Sequence, residues 1–295
     1  MKKTENMLFQ KDLELIDTVQ IKCKNAIYST YDDDPIFNVR NFEIINPIFC
    51  CGIISSINSK VYNYKIDDSV LFISFNQDLI IKLSSNLILK FSENNNYKLI
   101  SIIPYASYAM KILRVVDPKI GQNIVLIGLN FFSILLKELF RLSGTNVFII
   151  DVEEYSNKYH KVEENDLIIN GLDSALKKMI KFQIDSLIMI SEFDEKIQNL
   201  LLNLNIKRKY ELSQISIYDK GFEDLNYIKG IRYPHDYVRW DFKQNLKYFI
   251  FLIENNLINL DFFDIRLIEV SSLDEMKNFI KKITESNLYL FNIEK

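Results

Sequence analysis

The chain has 295 residues, which is enough for one large domain or two domains of ordinary size. Hydrophobic residues make up 48% of it, and 36 Lys and Arg against 39 Asp and Glu leave a net charge of −3. This balance lacks the basic excess that is typical of proteins that bind nucleic acid or an anionic membrane, so we expect neither partner.

Targeting features and cysteine usage favour a cytoplasmic location. The N-terminal segment 1–20 has a basic start but no apolar h-region of a secretory signal. The longest apolar stretch, 124–136, contains polar interruptions and is too short to span a bilayer. No CxxC motif occurs, and the cysteines are few, which indicates a reducing compartment; they are Cys23, Cys50 and Cys51.

The first hundred residues are predicted to form short strands separated by polar turns. Their β-branched and aromatic residues occur in runs bounded by Asn, Asp, Gly and Ser. Several strands at this spacing are typical of a small barrel-like β-domain. The predicted strands cover 18–29, 48–57 and 79–85, and a further strand is predicted after the Asp67-Asp68 turn within 63–74.

From about Ser101 the pattern changes to alternating helices and strands. A helix is predicted over 101–117, with Pro118 and Gly121 after its end. The alternation that follows indicates a parallel α/β sheet. Its predicted strands are 124–127, 147–150, 166–170 and 185–191, and its predicted helices are 131–142, 172–182 and 194–203.

The last sixty residues are predicted to form a helix, a strand and a second helix. Trp240, Leu246, Phe249 and Ile253 lie near one face of the first helix. The strand is predicted at 264–270 and the second helix at 271–283, with Ser271 or Ser272 as its N-cap.

Four stretches of the sequence carry a further signal through their residues and their order along the chain. The first two are "PIFCCGIISSINSKVYNYKIDDSVLF" (47–72) and "PKIGQNIVLIGLN" (118–130). They are followed by "DLIINGLDSALKKMIKFQIDSLIMIS" (166–191) and "RLIEVSSLDEMKNFIKKI" (266–283). In this order they resemble the medium-chain dehydrogenase/reductase family, which includes zinc alcohol dehydrogenases and zinc-free quinone reductases. The resemblance implies an α/β fold in which a GroES-like β-barrel catalytic domain is joined to a Rossmann-type parallel sheet domain.

The same resemblance implies a division of the chain into three segments. Residues 1–116 would form the first part of the catalytic domain, and 117–232 the nucleotide-binding domain. Residues 233–295 would return to the catalytic domain. Family members dimerise through the edge strand of the Rossmann sheet, so a homodimer is expected, with the contact near 225–231.

The catalytic zinc site of the family is not matched. Where the zinc enzymes have a cysteine and a histidine ligand, this chain has Ser29 and Ile48. A catalytic zinc needs three protein ligands of N, S or O type, and an isoleucine side chain offers none. We therefore expect no metal in this protein.

The glycine motif of the nucleotide-binding unit is matched at one of its three positions. In that motif the first glycine permits a tight turn, the second admits the diphosphate, and the third allows helix–strand packing. The corresponding residues are Gly128, Asn130 and Ser133. Asn130 stands where phosphate oxygens come close, and its side chain either tilts aside or donates its amide to a phosphate. The helix N-terminus would still supply N–H donors.

Asp151 is predicted to accept the ribose hydroxyls of a dinucleotide, because it lies 23 residues after Gly128 at the end of the next strand. No Lys or Arg follows it immediately, which favours NAD(H) over NADP(H) as cofactor. The predicted cofactor-binding residues are Gly128, Leu129, Asn130, Phe131, Ser133, Asp151, Asn170 and Gly171.

Without zinc, a developing oxyanion or enolate would have to be stabilised by hydrogen-bond donors. Ser29, Thr30 and Tyr108 are the candidate donors. His235 is a candidate proton donor, since imidazole titrates near neutrality. Arg239 is a candidate contact for an anionic group of the substrate.

Two functions remain open at this point. The first is a zinc-independent NAD(P)-dependent oxidoreductase that acts on a small biosynthetic intermediate. The second is a non-catalytic family member, with a degenerate cofactor site, that serves as a binding or assembly subunit. The altered glycine motif is the feature on which the choice depends.

Overall fold

A computed structural model describes eleven segments of the chain. They are residues 18–29, 48–74, 78–91, 97–151, 168–170, 183–190, 201–202, 204–211, 242–259, 265–283 and 288–293.

The described strands and α-helices follow one another in this order. The first five elements are the strands β1 (Thr18–Ser29), β2 (Ile48–Ile57), β3 (Ser69–Ser74), β4 (Ile80–Ser84) and β5 (Leu89–Lys90). Then come α1 (Tyr97–Val116), β6 (Asn123–Ile127), α2 (Phe131–Leu142), β7 (Asn146–Asp151), β8 (Ile168–Asn170), β9 (Ser186–Met189) and β10 (Lys209–Glu211). The last elements are α3 (Phe242–Glu254), β11 (Ile265–Val270), α4 (Leu273–Ile280) and β12 (Leu288–Ile293).

The first sheet joins the two ends of the chain. Its strands run in the order β11-β12-β1-β2-β3-β5, with β4 also paired to β1. β1 is long enough to have two partners on one side, since 18–22 pair with β4 and 25–29 pair with β12. All of these pairs are antiparallel except β11 with β12.

The second sheet is entirely parallel and has the order β10-β9-β6-β7-β8. Its central strands, β6 and β9, are almost continuously apolar and buried. Strands with helices on both faces of a parallel sheet have this character, because neither face meets water. The predicted alternation is seen at β6, α2 and β7, and the predicted strands at 166–170 and 185–191 are present as β8 and β9. The predicted helix at 172–182 and most of the one at 194–203 lie outside the described residues.

α1 connects the two sheets. It contacts β1, β2, β3, β11 and β12 of the first sheet, and it also packs against α2 and α3. With 20 residues, it is long and apolar enough to cross a bilayer, yet 61% of its apolar window is buried inside the protein. It begins four residues before its predicted start, at Tyr97. α1 is a core helix.

The C-terminal helices match their predicted faces and caps. Leu246 and Phe249 of α3 are fully buried, as their spacing predicts, and Ile253 is half-buried. Trp240, the fourth residue of the predicted face, lies outside the described residues. Lys243 fixes the start of α3, since its Nζ donates to the Ser85 carbonyl at 2.8 Å and lies 5.1 Å from the centre of the Tyr64 ring. Ser272, one of the two predicted N-caps, caps α4, and its Oγ accepts the Glu275 N–H at 3.2 Å.

Asp185 links three strands at the amino edge of the parallel sheet. Its carboxylate accepts hydrogen bonds from Lys207 Nζ and from the Asn123 N–H, the latter at 2.9 Å. These two donors favour the charged form, so they hold the pKa of Asp185 below its usual value. The carboxylate thus stabilises the folded state only while it is ionised.

We expect Asp185→Asn to lower the free energy of unfolding at pH 7 by about 1–3 kcal/mol, the usual contribution of hydrogen bonds to a charged group. Because the folded pKa is depressed, this contribution is present above the unfolded pKa of about 3.9 and is lost as the pH falls through the folded value. Urea unfolding at pH 7 and near pH 3 measures it. The difference between the wild-type and variant proteins should be largest at pH 7 and should shrink as the pH falls below about 3.9; a difference as large near pH 3 as at pH 7 would contradict this account.

Candidate functional site

The turn between β6 and α2 has the form predicted for a nucleotide-binding unit. Gly128 follows β6 directly and has φ of +106°, a conformation that a residue with a Cβ rarely adopts. Its N–H donates to the Ile150 carbonyl of the neighbouring strand at 2.9 Å. Gly128 therefore supplies the tight strand-to-helix turn.

The side chain of Asn130 turns back onto α2 and caps it. Asn130 Oδ1 accepts the Ser133 N–H at 2.9 Å, and Ser133 Oγ accepts the Asn130 N–H at 2.9 Å. The Ser133 hydroxyl in turn donates to the Asn130 carbonyl at 2.7 Å. This is a capping box, with asparagine and serine in the two roles. In the absence of a ligand the Asn130 side chain thus occupies the helix start itself, and which of the two alternatives holds toward a phosphate stays a prediction.

This arrangement decides how well a diphosphate fits the turn. The capping box uses two amides that a glycine motif leaves available to an anion, those of Asn130 and Ser133. In any α-helix the amides of the first turn lack acceptors within the helix, and the Phe132 N–H is one of these. The helix dipole also remains. The turn thus keeps N–H donors and a helix dipole that could hold a diphosphate, but fewer donors than a complete glycine motif has.

Asp151 lies beside this turn. It is the last residue of β7, follows directly on the strand residue that binds the Gly128 N–H, and is 1% exposed. The neighbouring strand places Asn170 opposite it. Ligands of open parallel sheets bind at the carboxyl ends of the strands, and Gly128, Asp151 and Asn170 all lie at that edge. The predicted cofactor residues that the structure describes are therefore adjacent.

An aromatic cluster fixes the first turn of α2 against α1. Tyr105 meets Phe131 edge to face, with ring centroids 4.5 Å apart, and Tyr108 stacks on Phe132 at 5.4 Å. Both tyrosines are buried, and desolvation raises the pKa of Tyr108 well above its usual value. Tyr108 therefore stays protonated at neutral pH. Its predicted role as a catalytic donor stays a prediction, and its position in the structure is in the core.

The remaining catalytic candidates are described only in part. Ser29 is the last residue of β1, is 6% exposed and pairs with Leu288 of β12. Ile48, at the predicted position of a zinc ligand, begins β2 and is buried. No group of three or more His, Cys, Asp or Glu side chains within the described segments is placed to hold a metal ion. Outside the described residues lie Thr30, Gly171, His235, Arg239 and the predicted dimer contact at 225–231.

The reciprocal bonding of Asn130 and Ser133 was not predicted from the sequence. A signal for it exists, since an N-cap residue followed three positions later by a side chain that can bond back is the spacing of a capping box. The glycine motif has the same spacing between its second and third glycines. The two patterns therefore coincide at this turn, and the structure shows the capping box.

No protein-family model matches the sequence, and no curated protein matches it either. Solved structures do match nearly the whole chain. The CurK enoyl reductase has 12% identity and a TM-score of 0.63, and the match covers 95% of this chain and 92% of that one. The quinone oxidoreductase from Coxiella burnetii has 14% identity and a TM-score of 0.56, over 94% of this chain and 91% of that one.

A third match is a "short chain alcohol dehydrogenase" from E. coli CFT073, in complex with NADH. It has 11% identity and a TM-score of 0.63, over 94% of this chain and 92% of that one. At such identities the likeness shows the fold. The predicted fold class, a GroES-like β-barrel domain with a Rossmann-type parallel sheet domain, is confirmed. The resemblance to the medium-chain dehydrogenase/reductase family holds at the level of the fold.

We expect Phe132→Leu to lower the free energy of unfolding by about 1–2 kcal/mol, because it removes a buried ring that stacks on Tyr108. Phe251→Leu is the matched control, since Phe251 also stacks on a tyrosine, Tyr248, but is 48% exposed. The control should stay within about 0.5 kcal/mol of wild type. Equal losses for the two variants, measured by urea unfolding, would contradict the anchoring role of Phe132.

Proposed function

We propose that this protein is a zinc-independent, NAD(P)-dependent oxidoreductase of the medium-chain dehydrogenase type that acts on a small biosynthetic intermediate. The observation that carries the proposal is the β6–Gly128–α2–β7 unit with Asp151 beside its turn. The fold likeness to two reductases and to a dehydrogenase that binds NADH supports it.

NAD(H) is the favoured cofactor. A buried carboxylate at the end of β7 can accept both ribose hydroxyls, whereas it would repel the 2′-phosphate of NADP(H). Leu129, Asn130 and Phe131 would border the diphosphate at the start of α2. Asn170 and Gly171 would border the nicotinamide half.

When bound, the cofactor supplies hydride transfer, and the chain supplies positioning and proton chemistry. The hydroxyls of Ser29 and Thr30 would donate hydrogen bonds to the substrate oxygen in place of a metal. Tyr108 is a further candidate donor, and His235 would deliver a proton to the product. Arg239 would hold an anionic group of the substrate.

The cellular setting follows from the same proposal. The three cysteines are buried thiols that are not joined in disulfides, which is in keeping with a reducing cytoplasm. A homodimer through the edge of the Rossmann sheet, at 225–231, is the proposed assembly. Neither nucleic acid nor a membrane is a proposed partner.

One observation favours the second candidate, a non-catalytic binding or assembly subunit. The capping box uses two of the amides that would hold a diphosphate, and the turn residues Leu129, Asn130 and Phe131 are each no more than 8% exposed. A protein that no longer bound a dinucleotide would have no need of an open anion site. Cofactor binding therefore distinguishes the two candidates.

We expect NADH to bind saturably, with a rise in its fluorescence, and to bind more tightly than NADPH. Asp151→Asn should weaken NADH binding at least tenfold, because the loss of a charged hydrogen bond corresponds to about 1.5–3 kcal/mol. Asp185→Asn is the matched control, since it makes the same change at the opposite edge of the sheet. It should leave the dissociation constant unchanged.

Absence of saturable binding of both NADH and NADPH at millimolar concentration would overturn the oxidoreductase proposal in favour of the binding subunit. A thermal-shift assay on the same samples would show that the protein is folded. An equal loss of NADH affinity in Asp151→Asn and Asp185→Asn would show that Asp151 does not contact the cofactor.

A further inference from the structure

The start of α2 is closed by bonds between its own side chains and amides. Asn130 Oδ1 holds the Ser133 N–H, and Ser133 Oγ holds the Asn130 N–H, each at 2.9 Å. The two residues are 4% and 0% exposed, so these bonds are shielded from water. The amides concerned belong to the N-cap and the third helical residue, which a phosphate at a helix start would also use.

We propose that Asn130 and Ser133 form an internal competitor of the cofactor diphosphate and thereby set the affinity of the site. The inference rests on the proposed function, because it assigns a role to two side chains within that cofactor site. Asn130 takes the place of the anion in the cofactor-free protein. A diphosphate gains the Ser133 amide only when the Asn130 side chain releases it.

The size of the effect follows from the strength of an N-cap. Replacing an N-cap asparagine by alanine costs about 0.5–2 kcal/mol, which corresponds to a factor of roughly 2 to 30 in an equilibrium constant. The diphosphate has to overcome a factor of this size in order to displace the cap. The competition acts on ligands that carry a diphosphate, such as NADH and ADP-ribose. Adenosine has no phosphate, so this competition does not affect its binding.

The helix start keeps its position when the cap opens. Phe131 and Phe132 are held by Tyr105 and Tyr108 of α1, and these contacts do not involve the Asn130 side chain. Replacing an N-cap asparagine by glycine costs only about a few tenths of a kcal/mol. Asn130→Gly therefore removes the competitor and leaves a folded protein.

The test compares NADH dissociation constants of the full-length wild-type protein and of two variants at residue 130. Asn130→Gly should bind NADH and ADP-ribose about 2- to 30-fold more tightly, with adenosine unchanged. Asn130→Asp keeps the cap but adds a negative charge beside the diphosphate, and it should bind NADH at least about tenfold more weakly.

The matched controls are Ser272→Gly and Ser272→Asp. Ser272 is the N-cap of α4, and its Oγ accepts the Glu275 N–H at 3.2 Å. α4 packs in a different hydrophobic cluster from α2. These two variants make the same cap and charge changes outside the proposed site, so both should leave NADH affinity within about twofold of wild type.

A second variant tests the other half of the competitor. Ser133→Ala retains the backbone amide that Asn130 Oδ1 caps but removes the Oγ that holds the Asn130 N–H. Without ligand, its melting temperature should fall, because a buried N–H loses its acceptor. With saturating NADH, its melting temperature should rise by more than that of wild type, because the diphosphate takes over that N–H.

The outcomes separate this inference from the proposed function. If wild type binds NADH and Asn130→Gly binds it no more tightly, the proposed competition by Asn130 and Ser133 is wrong, while the proposed oxidoreductase function is unaffected. If only Asn130→Gly binds, the competitor is supported and the natural chain is not a dinucleotide enzyme. If neither protein binds NADH and Ser133→Ala gains no stabilisation from it, both are overturned.

Discussion

The contact between α1 and the first turn of α2 is the constraint on which the rest of the structure depends. α1 lies against the first sheet, and it is also the element that packs on both α2 and α3. Tyr105 and Tyr108 place the rings of Phe131 and Phe132, and so they place the helix start that follows Gly128. The position of the candidate site relative to the barrel is therefore set by buried aromatic packing.

The capping box is formed by the two residues that stand where the nucleotide-binding motif has its second and third glycines. With Asn130 and Ser133 in their places, the helix start satisfies its own amides and needs no ligand to do so. In a glycine motif these N–H groups have no side-chain acceptors, and the bound anion accepts their hydrogen bonds instead. The chain, which has 7 glycines in 295 residues, retains the one whose positive φ the turn requires, Gly128.

Much of the fold could be predicted from the sequence, because strand and helix periods are local properties. β2 and α2 were predicted with the bounds that the structure shows, and the Ser272 cap was one of two predicted choices. The sequence did not decide whether Tyr108 faces the cleft or lies in the core, because α1 is apolar on most of its surface and the pattern indicates no single buried face. The Asn130 side chain can bond either to the Ser133 amide or to a phosphate, and the spacing of residues in the sequence alone does not decide between these two arrangements.

The central claim is that the start of α2, between Gly128 and Phe132, binds a diphosphate once the Asn130 side chain releases the Ser133 amide. A crystal structure of the protein soaked with saturating NADH tests it most directly. The account predicts diphosphate density at this turn, with the Asn130 side chain withdrawn from the Ser133 amide and the adenine ribose beside Asp151. Well-ordered NADH bound elsewhere, or an unchanged capping box with no ligand density at the turn, would contradict it.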